Sequence, residues 1–103
     1  MDNIVKVHEW AKKKVYDDRG SWRILLQFTS EELDHIASIG ASIVLHAASV
    51  RTGGGFVSAV CANDLSSACS RADSVNQRAL AYLVNVFKTP SADCWAEATG
   101  EPI

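Results

Sequence analysis

Five consecutive residues offer the clearest chemistry in this chain: Arg51, Thr52, Gly53, Gly54 and Gly55. Glycines let a backbone approach a ligand closely and adopt unusual dihedrals. A helix starting just after them would point its free N–H groups at the loop. With the Arg51 guanidinium and the Thr52 hydroxyl, such a set can cradle a phosphate. The spacing matches neither a Walker loop nor a dinucleotide fingerprint. The plainer reading is a tight turn between two antiparallel helices.

Arg71 and Arg78 come next. On a continuous helix they share one polar stripe with Ser67 and Ser74. Neither has an acidic residue three or four positions away, so neither has the usual local ion pair. Such a stripe suits an acidic partner, a phosphate or the acidic patch of another subunit. Its bland alternative is solvation. Trp10, Trp22 and Trp95 are candidate contact anchors, or simply core residues. Trp95, in a short terminal helix, is placed as a residue that packs across a subunit boundary.

Histidine and cysteine offer less. His35 and His46 lie eleven apart, about three helical turns, too far to ligate one metal together. Cys61, Cys69 and Cys94 show no CxxC spacing, so neither a zinc site nor a disulfide framework is expected. A Cys–His pair brought together in space would be the seed of an enzyme, the weakest of three functional readings.

These residues must be positioned by helices. Ile4, Val7, Ala11 and Val15 recur at helical spacing, which predicts a helix over 3–18 that stops at Gly20. Residues 22–28 fit either a strand or a short helix, and a helical or extended connector is preferred. Thr29 and Glu32 stand in capping-box spacing, with Phe28 and Leu33 at the staple positions. The acidic Glu31, Glu32 and Asp34 suit the positive end of the helix that follows. That helix should run to about Arg51.

Residues 35–50, HIASIGASIVLHAASV, carry no formally charged side chain. A surface helix normally shows charge opposite its apolar stripe. This one should therefore be enclosed, and 103 residues leave little material to enclose it. Self-association is the expected solution, at least to a dimer. Ser38 and Ser42, with Gly40 between them, would admit a close helix, and His46, Tyr82 and Val86 complete the candidate interface.

A seam at steps of three and four continues through Val57, Cys61, Leu65, Ala68, Ala72, Val75, Ala79, Tyr82 and Val86. It predicts one helix from 54 to 88, with a kink near Asn63. The alternative is a helix starting at Leu65 and capped by Asn63–Asp64, which leaves residues 55–62 as a strand or a separate turn. Residues 79–87 again lack charge. Pro90 stops the segment, and Ser91 is expected to cap a short last helix through Ala98, before Gly100.

The expected fold is all-α, one domain over residues 1–103. Two long antiparallel helices form its centre, with a shorter N-terminal and a short C-terminal helix against them, assembled as a homo-oligomer. The net charge of −2 argues against general nucleic-acid binding. Residues 1–28 hold six basic and four acidic groups, the remainder four and eight. The Lys12, Lys13, Lys14 run is offset by Asp17 and Asp18, and reads as a solvated face. No signal pattern or membrane span is expected, so the cytoplasm is the assumed location. The leading functional expectation is a non-enzymatic interaction protein, an inhibitor or adaptor, by analogy with small bacterial and phage accessory proteins. The alternative is a small-ligand or nucleotide-phosphate binder using the 51–55 turn. No cofactor or metal is expected, and no catalytic residue is assigned.

Overall fold

The computed structural model describes residues 2–102. Six α-helices make up the described chain: α1 (Asn3–Asp18), α2 (Ser30–Ala47), α3 (Gly55–Cys61), α4 (Leu65–Arg71), α5 (Ser74–Leu83) and α6 (Ser91–Thr99). A 3-10 turn over Arg23–Gln27 joins α1 to α2, which is the helical form of the connector. A π-turn over Val84–Lys88 extends α5. No strand is present among the described residues.

Local chemistry explains the helix starts. The Asp2 carboxylate accepts from the Val5 N–H at 3.0 Å and opens α1. The capping box of α2 is complete: the Thr29 hydroxyl accepts from the Glu32 N–H at 3.2 Å, and the Glu32 carboxylate accepts from the Thr29 N–H at 2.9 Å. Gly100, at φ 77°, closes α6 in the left-handed conformation that favours glycine. Ser91 is the first residue of α6 rather than its cap. Pro90 holds the cap position, without a side-chain bond.

Helix α2 is the central element. It packs against α1, α3, α5 with its π-turn, and α6. Leu33, Ile36, Ala37, Gly40, Ala41, Ile43, Val44 and Leu45 are all buried. The cover sought for this uncharged helix is thus supplied largely by the chain itself. At Gly40 a Cβ would stand 2.7 Å from the Phe87 ring, so that glycine admits an aromatic side chain of the same chain, where a neighbouring helix was expected. The helix also stops at Ala47, earlier than Arg51, because Ser49 turns the chain with φ 59°.

The single helix expected over 54–88 is three helices. Asn63 takes φ 59°, a conformation asparagine tolerates, and breaks the ladder after α3. The Asp64 carboxylate then accepts from the Ser67 N–H at 3.1 Å and starts α4. Ala72 is extended, and Asp73 starts α5 by accepting from the Asn76 N–H at 2.7 Å. A seam in three-and-four steps cannot register these breaks, because each new helix keeps an apolar face of its own. The second of two long helices is therefore absent, and α1 approaches the length of α2.

The core joins Val7, Ala11 and Val15 of α1 to the buried face of α2, to Leu25 and Phe28, and to Tyr82, Leu83 and Phe87. Aromatic rings meet edge to face in a chain: Trp22 on Tyr82 at 5.2 Å, Tyr82 on Phe87 at 5.9 Å, and Phe87 on Trp10 at 5.9 Å. Outside this core, α1 shows a charged face. Lys13 bonds Asp17 at 2.7 Å, Lys14 lies 3.5 Å from Asp18, and Lys12 lies 3.8 Å from Asp34. No helix of the described residues is long and apolar enough to cross a membrane.

Candidate functional site

Helices α3 and α4 fold back on each other, so Arg71 at the end of α4 lies against Gly55 at the start of α3. Between this pair and α5 runs an apolar groove of about 150 Å³. Ala59 and Val60 of α3, Leu65 and Ala68 of α4, Leu80 of α5 and Val84 of the π-turn line it, and Asn63 and Asp64 close one end. Its size is below the roughly 300–1,000 Å³ of small-molecule sites, and suits a side chain better than a metabolite. Leu65 stands at its edge, 68% exposed, the most exposed large apolar residue of the described chain.

The surface around the groove is poor in charge. Ala62, Ser66, Cys69, Ser70, Ser74, Gln77, Ala81 and Asn85 are exposed and neutral. Lys88 donates to Asn63 at the groove and exposed Asp73 follows α4, while Asp64 and Arg71 are the exposed charges at the two ends of that helix. Neither forms a salt bridge among the described residues. The Ser67 N–H holds the Asp64 carboxyl below its ordinary value, with a smaller contribution from Arg71.

The seam over 54–88 placed Leu65 inward. That placement assumed one helix. The break at Asn63 resets the phase, and Leu65 turns outward while Ala68 stays inward as the seam had it. The Asn63–Asp64 cap was the signal that pointed to it.

The other candidates separate clearly. Arg78 is engaged: its guanidinium donates to Glu32 at 3.0 Å and lies 4.7 Å from the Phe28 ring centre. Its acidic partner sits on another helix, beyond the reach of a local-spacing rule. The stripe with Ser67, Arg71 and Ser74 is broken, since α4 ends at Arg71 and α5 begins at Ser74. Trp95 is buried in its own chain, not presented to a neighbour. Trp10 and Trp22 are half-buried against core rings.

Among the expected interface residues, Tyr82 is a correction. It is 1% exposed and donates to the Asp18 carboxylate at 2.8 Å, so it is core and closed to a second subunit. Burial, reinforced by Asp18, pushes its phenol well above the ordinary value. Ser42, His46 and Val86 are half-buried, and Ser38 is exposed. They do not adjoin the groove as a set.

The 51–55 turn is organised by its own chain. The Gly53 N–H donates to His46 Nδ1 at 3.1 Å, which makes that nitrogen an acceptor. A Cβ at Gly53 would collide with Val57, and one at Gly55 would stand 2.9 Å from the Arg71 side chain. None of the three glycines takes a positive φ. Gly53 and Gly55 leave room for neighbouring side chains, whereas a Cβ at Gly54 would meet open space. Two shallow hollows meet at His46. One, of about 280 Å³, includes Ser49, Arg51 and Thr52. The other, of about 540 Å³, includes Ser58, Cys61, Lys88 and Ser91.

His46 and Cys61 therefore line one hollow. The Cys61 thiol lies 3.7 Å from the Ile43 carbonyl, and burial raises its pKa while Lys88 opposes. A nucleophilic cysteine needs the reverse. Burial likewise pushes Cys94 up to about 11. His35 Nε2 lies 3.0 Å from the Asp73 carboxylate and ties α2 to the start of α5. His8 is held below its ordinary value by burial and by Arg51. Among the described residues no group of three or more His, Cys, Asp or Glu is placed to hold a metal ion.

No family model matches this chain, and no curated protein and no solved structure matches it.

Proposed function

We propose that this chain is a non-enzymatic interaction protein that binds another macromolecule, blocks or adapts it, and assembles with itself. The observation that supports this reading is the apolar groove with Leu65 exposed at its edge, beside the neutral exposed Ser66, Cys69 and Ser70 of the same helix. Leaving such a side chain in water forgoes roughly 1.5–3 kcal/mol of burial, which an occupant recovers. The three cysteines are free thiols, which fits the reducing cytoplasm. Immobilised protein is expected to capture a partner from a host lysate, and Leu65→Asp to lose it with the fold intact. Turnover of any member of a metabolite panel by the purified protein overturns the non-enzymatic reading.

The hollows at His46 favour a second reading, a small anionic ligand held beside the 51–55 turn. Arg51 and Thr52 stand on one side of His46, and Lys88 and Ser91 on the other. Thermal shift with a nucleotide panel tests it. Stabilisation that disappears in Arg51→Ala supports the site. No stabilisation by any nucleotide removes it.

A further inference from the structure

We propose that the two hollows at His46 are one site for a chain of phosphates, a di- or triphosphate, which spans from Arg51 to Lys88 and is read through its phosphates, not through a base. This rests on the second reading above and names the class of anion that its site takes.

The lining carries one sign of charge. Among the described residues no Asp or Glu lines either hollow, although the chain holds 12. Asp64 and Asp93, close in sequence to the lining residues, are exposed and outside it. Arg51 stands in one hollow and Lys88 in the other, and neither forms a salt bridge among the described residues. The Lys88 ammonium donates to the Asn63 side-chain oxygen, a neutral partner, so it is held in place with its charge uncompensated. Neighbouring groups feel both cations: Lys88 opposes the effect of burial on the Cys61 thiol, and Arg51 adds to that of burial on His8. Lys12, Lys13, Lys14 and Arg78 instead face carboxylates, which an anion there would have to displace.

His46 is the wall common to both hollows. Its Nδ1 accepts from the Gly53 N–H, so the neutral ring carries its proton on Nε2. That N–H has no partner among the described residues and is free to donate to an anionic oxygen. Hydroxyls of Ser49 and Thr52 on one side, and of Thr89 and Ser91 on the other, add donors. Hydrogen bonds from such groups to an ionised oxygen are the strong ones. A single phosphate reaches one cation, whereas a chain of two or three carries charge to both. Among the described residues no Phe, Tyr or Trp lines either hollow, so a base finds no stacking platform.

The experiment is titration calorimetry of the full chain at low ionic strength. The probes are inorganic phosphate, pyrophosphate, triphosphate, AMP, ATP, GTP and UTP. Triphosphate and the three nucleoside triphosphates are expected to bind alike, and phosphate and AMP ~10-fold or more weakly. Arg51→Ala and Lys88→Gln should each weaken triphosphate ~5- to 10-fold, as loss of a charged hydrogen bond does. Glutamine at 88 keeps a donor for Asn63 while removing the charge. Lys13→Gln, which removes the same charge from α1, should change nothing. Circular dichroism and melting midpoints matching the wild type show that each variant is folded.

A triphosphate no tighter than phosphate overturns the proposal, and so does binding confined to one base. Equal weakening by Lys13→Gln also overturns it, since general charge attraction then accounts for the binding. Binding lost in Arg51→Ala but indifferent to Lys88→Gln overturns the two-ended site and leaves the anion reading standing. No binding of any probe removes that reading and the proposal together.

Discussion

Helices α2 and α4 both lack a charged stripe, yet they sit in opposite environments. From His35 onward α2 carries no formal charge and is wrapped on most sides by its own chain. Helix α4 carries only Arg71, packs chiefly on α3, and leaves Leu65 in solvent. Missing charge thus accompanies burial in α2 and exposure in α4. Who provides the cover differs. For α2 the cover is intramolecular, through Phe87 at Gly40 and through α1 and α6. For α4 it is left open.

The contrast can be broken most forcefully at α2. Phe87→Ala removes the ring that fills the Gly40 notch, and is expected to cost ~3–5 kcal/mol in urea unfolding. A loss below ~1 kcal/mol would show that α2 is covered some other way. Gly40→Val attacks the same contact from the other side, since even its Cβ falls 2.7 Å from the ring. Overpacking should cost about 1–3 kcal/mol. Paired with Phe87→Ala, it should lose less than the sum of the two, because the new methyls enter the space the ring vacates.

Tyr82 sharpens the same side. Tyr82→Phe deletes its bond to Asp18 and should cost about 1 kcal/mol near neutral pH. The buried phenol titrates above its ordinary value of 10.0, so the unfolded chain ionises first. Its contribution is complete below that value and declines as pH rises through it and on towards the higher folded value. Alkaline unfolding followed by circular dichroism should begin there, and be less steep in Tyr82→Phe. An unchanged profile would place the alkaline sensitivity elsewhere. His8 acts in the other direction. Its folded value is lowered, so the stability it contributes is present above 6.5 and declines as pH falls below that value.

The smallest expected effect on folding lies at α4. Leu65→Asp should change unfolding free energy by no more than ~0.5 kcal/mol under monomeric conditions. Its consequence should appear in partner capture instead. A large loss of monomer stability would mean that Leu65 is a core residue, and the distinction between the two helices would collapse. Lys13→Gln on the solvated face of α1 should leave both the melting midpoint and assembly unchanged, since isolated exposed pairs contribute little.

Much of this was readable along the chain. Residue order alone specified the all-α class, α1, the capping box of α2, the Gly100 stop and the neutrality of residues 35–50. These depend on spacing and on side chains reaching their own backbone, which are local properties. The three-way division of 54–88 was half visible. Asn63 and Asp64 marked a start, but an apolar seam that skips across breaks concealed it.

Tertiary structure alone decided the rest. Arg78 found Glu32 forty-six positions away. Tyr82 went inward to Asp18, and Trp95 into its own chain's core. Arg71 came to rest on Gly55. Leu65 turned outward once the helix phase was reset. Local spacing determined which surfaces needed cover. Only the folded arrangement decided which were covered, because that depends on contacts between residues far apart in sequence.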